Sequence, residues 1–285
     1  MSANILTSEP PTNITRRYDL DWLRVLAILA VFGYHSLRFF NLEYWVIKNP
    51  TIYPAMEILG NYIESWMMPL IFVVSGASIY FGSLKNKSPG RFIQDKALRL
   101  LVPLVVGVFT HCMLQVYLER LSHGEFNGSL WDFLSQYFEG FYGFGGNFAW
   151  MGLHLWYLEV LFVFSIIFLP AILLLRRSTA RHLVHNLTDI LAAPGAVYLL
   201  ALAAILSWKL LDPDSLLGSN IFGWSFGVYF SFFLAGYLLV SNKRLERSIQ
   251  RLRWVSLIGF LTATVIFFLT QDHQDMVAWF AILAC

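Results

Sequence analysis

Asp21-Trp22-Leu23-Arg24 leads into Val31-Phe32-Gly33-Tyr34-His35 inside an apolar stretch long enough to cross a bilayer. On an α-helix, rising ~1.5 Å and turning ~100° per residue, His35 stands about 16 Å beyond Arg24 and within about 20° of the same azimuth. The two ionisable groups therefore share one face, three turns apart. A guanidinium and an imidazole inside a membrane span cost free energy unless they face a protein interior or a cavity, so a functional role is the default expectation. Two plainer accounts compete with it. The long stem of Arg24 can let its guanidinium snorkel into the headgroups, and His35 can be satisfied by a hydrogen bond to a neighbouring helix. Asp21 lies three residues before Arg24 and four after Arg17, so on a helix it can orient either guanidinium.

Working outward, the composition agrees with a membrane setting. Hydrophobic residues make up 57% of the chain and charged residues 13%, against about 25% charged in a typical soluble domain. No basic stripe with interleaved aromatics points to nucleic acid. Cys112 and Cys285 give neither a disulfide framework nor a metal spacing, so no metal is expected. Residues 1–18 carry Ser, Thr, Asn and Pro without an apolar segment and are expected to form a flexible tail rather than a cleaved signal peptide. Apolar spans follow near 20–40, 58–82, 97–118, 151–175, 195–211, 220–240 and 254–270. An eighth starts near Met276 and stops at Cys285, too short to cross. The expected fold is all-α, a polytopic transmembrane helix bundle of about eight spans, the last incomplete. Residues 19–285 would be one domain, truncated at the C-terminus.

Orientation follows from the basic residues between spans. Arg16 and Arg17, then Lys85, Lys87, Arg91, Lys96 and Arg99, then Arg176, Arg177 and Arg181, then Lys243, Arg244, Arg247, Arg251 and Arg253 fall on one side. The other side holds only Arg38, Lys48, Arg120 and Lys209. The imbalance predicts a cytoplasmic N-terminus, with Arg24 in the inner half of the bilayer and His35 in the outer half.

Leu20-Asp21-Trp22-Leu23-Arg24, ten residues, then His35, resembles the opening signature of the acyltransferase 3 family of integral membrane acyltransferases. Three further stretches resemble that family in the same order: Phe72-Val73-Val74-Ser75-Gly76; Phe92-Ile93-Gln94-Asp95-Lys96-Ala97-Leu98-Arg99 with Pro103; and His154-Leu155-Trp156-Tyr157-Leu158. The matches cover residues 17 to 165. Ser-Gly in an apolar helix is also a common close-packing site between helices. The resemblance is closest to the glucan-modifying branch, similar to glucans biosynthesis protein C. It implies transfer of a short acyl group, acetyl or succinyl, from cytoplasmic acyl-coenzyme A to a hydroxyl of an extracytoplasmic carbohydrate. Acyl-coenzyme A would be a co-substrate rather than a permanent cofactor, the other partners being membrane lipid and a glycan acceptor. A bacterial cytoplasmic (inner) membrane is the implied location.

Within that expectation His35 is the catalytic candidate, either as a general base near its ordinary pKa of about 6.5 or as a nucleophile that carries the acyl group. Arg24, Lys96 and Arg99 are the candidates for holding the donor, Asp21 supporting Arg24. Lys96 and Arg99, three residues apart, are expected to lie near one another, and with Arg91 they could hold phosphates. Ordinary positive-inside anchoring competes with that role. Ser75 and Trp156 come from the resembling motifs.

The segment 119–150 is the largest outside loop expected. Ser129 is predicted to cap a short helix over 130–138. Its aromatics, from Trp131 to Trp150, are expected mainly as interfacial anchors, leaving Asp132 and Glu139 as candidate acceptor-binding carboxylates. His154 and Glu159, five apart, point to different faces of a regular helix. His154 is expected near the outer interface in a structural hydrogen bond, Glu159 needs a partner to stay charged, and His111 is expected to be a core residue. The competing function is a transporter or flippase that uses Arg24 and His35 as a substrate or proton path. Such a carrier should show an internal repeat, and none of the Arg24–His35 stretch is visible.

Overall fold

The computed structural model describes residues 17–85, 88–175, 177–210 and 226–270, apart from the side chains of 84, 85 and 208–210. Their order is α1 (Tyr18–Leu37), α2 (Pro54–Lys85), α3 (Pro89–Ser122), α4 (Leu130–Gln136), α5 (Trp156–Leu174), α6 (Ser178–Leu191), α7 (Leu200–Leu210), α8 (Phe226–Leu239) and α9 (Lys243–Thr270). No strand occurs among the described residues. Among the described residues, five helical segments are long and apolar enough to cross a membrane: α1, α2, α3, α9, and α5 with the short 3-10 turn before it. A sixth is added if α6 and α7, bent by 116° at their break, form one span. Helix α8 is apolar but only 14 residues long. Each apolar stretch from 20–40 to 254–270 thus carries a helix, while the tail up to residue 16 and the eighth stretch near Met276 fall outside the described residues.

The bundle is centred where α2 and α8 cross. A methyl group on Gly76 would run into the backbone carbonyl of Phe233, and one on Gly236 into that of Val73. The helices therefore touch backbone to backbone at two reciprocal points, as small residues permit inside a membrane. Phe72 fills the layer beside this crossing, with the rings of Tyr229, Tyr157, Phe164 and Trp156 at centroid distances of 4.8, 5.2, 5.6 and 6.3 Å. Helices α2, α5 and α8 share that apolar core.

Helix α1 is held differently. Ala27 is its one buried residue, and polar contacts fasten it along its length. Arg17 pairs with Glu246 at the start of α9 at 2.7 Å, Arg24 with Ser78 of α2, and the Tyr34 hydroxyl donates to Glu64 of α2 at 3.0 Å. After α1 the chain folds back over the C-terminal end of that helix. The Lys48 ammonium donates to the carbonyls of Arg38 and Asn41 and to the Asn41 side chain, each at 2.7 Å.

Three local departures from the sequence expectation have physical causes. Helix α3 is not regular: π-helical turns replace α-helix over Ala97–Leu101 and Val108–Cys112, which shifts every facing relation inferred from a 3.6-residue period. Helix α9 begins at Lys243 rather than near 254, because its Lys, Arg and Glu are strong helix formers and Leu245 and Ser248 bury one side of that turn. Helix α6, amphipathic and absent from the span inventory, docks on the start of α9: Asn242 donates to Thr188 and Asp189 at 2.9 Å, and Arg244 to Asp189 at 3.3 Å.

Candidate active site

A cavity of about 780 Å³ runs along the inner face of α1 and is walled by α2, α3, α5 and α8. Arg24, Ser78 and Lys96 line one end of it, and His35, Arg38, Trp45 and His154 the other. The helical spacing of Arg24 and His35 therefore places both on one continuous space, about 16 Å apart along the axis. Volumes of about 300–1,000 Å³ are those of ligand sites.

At the first end, Arg24 is fixed from both sides. Its Nη1 donates to Asp21 Oδ1 at 2.7 Å and its Nη2 to the Ser78 hydroxyl. Asp21 thus orients Arg24, while Arg17 turns instead to Asp19 and Glu246. The planar guanidinium fork is what allows two partners in different directions. Lys96 reaches the same space with its ammonium 5.6 Å from the Phe92 ring centroid and makes no ion pair among the described residues. Arg99 does not join it. Its side chain is 74% exposed, pairs with Asp95 at 2.8 Å, and lies outside the cavity lining. The π-helical turn from Ala97 widens the repeat, and Arg99 is turned away from the cavity face that Lys96 occupies. Arg91 is likewise exposed, outside the lining.

At the other end, His35 sits among rings. Trp45 stacks on it at 5.4 Å, Tyr34 meets it edge-on at 5.3 Å, and His154 lies at 6.0 Å. Its Nδ1 is covered and has no hydrogen-bond partner among the described residues. The protein therefore fixes neither tautomer of this imidazole, and both base and nucleophile roles stay open to it. Arg38 stands 4.8 Å from the Trp45 ring centroid and pairs with Glu43, which holds the Trp45 loop over the imidazole.

His154 makes the hydrogen bond expected of it, Nδ1 to Gln115 Oε1 at 3.1 Å, but it faces the cavity. Its placement comes from an unusual turn: Gly152 (φ 72°) and Leu153 (φ 49°) are both left-handed. A bulky residue with positive φ is a genuine outlier, and such outliers cluster at functional sites. His111 is not a core residue. The second π-helical turn of α3 presents its exposed ring 5.2 Å from His154. Despite this row of imidazoles, no group of three His, Cys, Asp or Glu among the described residues is placed to hold a metal.

Of the remaining candidates, Ser75 hydrogen-bonds to the Tyr157 hydroxyl, and both line the cavity with Trp156. Gly76 beside it is a helix-packing residue. Glu159 lies outside the cavity lining, its Oε2 covered and without a partner among the described residues. Asp132 is a helix cap. Ser129 and Asp132 form a reciprocal capping box at the start of α4, with Ser129 N and Oγ donating to Asp132 Oδ2 at 2.9 and 2.7 Å. Those bonds hold its carboxyl below the ordinary aspartate range. Glu139 is exposed, and neither carboxylate lines the cavity. Nor are the loop aromatics only anchors, since Phe133 and Tyr137 are fully buried in a small core with Cys112 and Val116.

Two carboxylates that the sequence reading passed over are better placed. Glu64 lines the main cavity beside Tyr34. Glu119, 1% exposed, accepts from Tyr44 at 2.7 Å and from Tyr142 at 3.0 Å, and both tyrosines line the cavity mouth. An acidic residue within a long apolar span was the signal available for Glu64.

Fold and site together define a multi-pass helical membrane protein with a charged and titratable cavity beside its first span. The family model for an acyltransferase domain, acyltransferase 3, matches residues 17–285. The chain belongs to that family and is an integral membrane acyltransferase. No curated protein and no solved structure matches it.

Proposed function

We propose that the protein moves a short acyl group, acetyl or succinyl, from acyl-coenzyme A on the cytoplasmic side to a carbohydrate hydroxyl on the other side, at His35. One observation carries this: a single cavity has cations at one end and an imidazole at the other. Arg24 and Lys96 receive the phosphates of the donor, and the pantetheine arm extends along α1 until the thioester meets His35. The family's motifs support the same two residues, Arg24 and His35.

The reaction balances within this site. The acceptor oxygen bonds to the thioester carbon as its proton passes to His35, and the carbon–sulfur bond breaks. The leaving thiolate takes that proton from the imidazolium, so neutral imidazole and coenzyme A thiol are restored. In the relay form the imidazole nitrogen attacks first, releases coenzyme A, and gives the acyl group to the hydroxyl in a second step.

The distribution of basic residues supports a cytoplasmic N-terminus, and the proposed setting is a bacterial inner membrane. Ser88 and Thr179 against Asn127, all exposed, are the positions for testing that sidedness by cysteine labelling; Ser248 is buried and unsuitable. The decisive experiment uses proteoliposomes with radiolabelled acetyl- or succinyl-coenzyme A on the Ser88 side and a glucan on the Asn127 side. Label should appear in the glucan with the parent protein and not with His35→Ala. Equal transfer by the variant would refute the assignment.

A further inference from the structure

A second cavity, of about 520 Å³, meets the first at His35 and His154 and runs outward between α1 and α3. Trp45 and Gln115 line both spaces, so the second is a side branch of the candidate active site rather than a separate hollow. Its two ends differ. Where it joins the main cavity its wall carries Gln115 and His154, the His154 ring 6.0 Å from that of His35, and the His111 ring follows 5.2 Å from His154. Farther out the wall is Phe32, Leu114 and Leu118. Phe32 is 73% exposed, and the other two are exposed too. These residues lie on membrane-spanning segments, so at that depth the surface meets lipid chains and not water.

From this layout we infer that the side cavity is the acceptor site, and that the acceptor is a lipid-anchored hydroxyl compound which enters sideways from the bilayer. The inference rests on the acyl-transfer function proposed above. The headgroup hydroxyl lies among Gln115, His154 and His111 against His35, while the alkyl chain follows Phe32, Leu114 and Leu118 back into the membrane. The polar inner wall decides between two possible chains. A donor acyl chain continuing past His35 would lay methylenes against Gln115 and two imidazoles, whose groups beyond the Gln115–His154 hydrogen bond would be covered without gaining partners, at a cost. A hydroxyl-bearing headgroup satisfies them.

The test uses the full chain in phospholipid nanodiscs and a dodecyl glucoside with a diazirine in its chain. Photolabelling is expected at Phe32, Leu114 or Leu118, displaced by plain dodecyl glucoside but not by methyl glucoside. Leu118→Trp, which fills the branch, should cut that labelling about tenfold, and the milder Leu118→Phe provides the same comparison if the larger side chain prevents folding. With acetyl-coenzyme A as donor, dodecyl glucoside should exceed methyl glucoside in kcat/KM by about tenfold or more, because the chain confines the hydroxyl at the site. Leu118→Trp should bring that ratio near one. Labelling spread evenly over lipid-facing residues such as Val25 and Leu29, or a ratio of one in the parent, would overturn the acceptor site. Competed labelling at Leu118 with transfer to neither glucoside would uphold the site and count against the carbohydrate-acyltransferase function.

Discussion

The two ends of the main cavity are built on opposite plans. At the Arg24 end, the guanidinium is held by Asp21 on one side and Ser78 on the other before any ligand arrives. At the His35 end, rings surround the imidazole, yet its Nδ1 has no hydrogen-bond partner among the described residues. A binding group gains from being held in advance, since less freedom is lost when the ligand docks. A reacting group gains from partners that only the transition state supplies. The contrast supports the proposed roles, in which the fixed guanidinium binds and the imidazole reacts.

The sharpest way to break this contrast is to exchange its consequences. His35→Ala should lower kcat by about 10²–10⁴, the range for removing an acid–base group, while donor affinity changes less than about twofold. Equilibrium binding and single-turnover transfer on the same purified protein separate the two. A His35→Ala protein that turns over normally would end the comparison.

At the other end the effect should appear in binding. Arg24→Ala is expected to weaken acyl-coenzyme A binding about 10–100-fold, the worth of a charge-assisted hydrogen-bonding group. Arg24→Lys should recover only part, because an ammonium cannot span both Asp21 and the Ser78 hydroxyl as the planar fork does. Free coenzyme A competition gives the dissociation constants. Unchanged binding by Arg24→Ala would make Arg24 a membrane anchor.

A smaller difference tests the cavity wall itself. Lys96→Ala should raise the KM for the donor several-fold, whereas Arg99→Ala, the loss of an exposed pair, should change it by less than about twofold. Equal effects would mean that the donor reaches the outer side of α3.

The smallest effect is expected farthest from both ends. Asp132→Asn should leave acyl transfer unchanged and speed amide exchange in α4 at neutral pH. Because Ser129 holds the folded carboxyl below its unfolded value of about 3.9, the cap's contribution is complete above that pH and is lost as pH falls through the folded value. Parent and variant should therefore converge in strong acid.

The sequence made helix positions legible wherever apolar residues ran on for a span's length. It also made the shared face of Arg24 and His35 legible, because α1 is a regular helix from Tyr18 to Leu37. Facing relations failed where the helix did not keep its period. Arg99 was expected beside Lys96 and His111 in the core, and π-helical turns in α3 rotate both to other faces. The hydrogen bond expected of His154 is present, but its place on the cavity was not legible for a related reason: a left-handed Leu153 before it cannot be read from residue type. Asp132 was ambiguous because one residue type serves both as cap and as ligand, and only the Ser129 contacts decide between them. The close crossing at Gly76 was legible as a packing motif, but its partner Gly236 was not, since nothing local specifies which helix will lie opposite.

The ion pair between Arg17 and Glu246 joins positions 229 residues apart, and it has a bearing on how the protein is made. The ribosome delivers Arg17 long before Glu246 exists, so the first helix enters the bilayer without its anchor. The segments that form α2, α5 and α8 are synthesised before α9 supplies the partner for the start of α1. The helix that carries both Arg24 and His35 is thus among the first pieces synthesised, and the ion pair at its start is among the last of its contacts that can form.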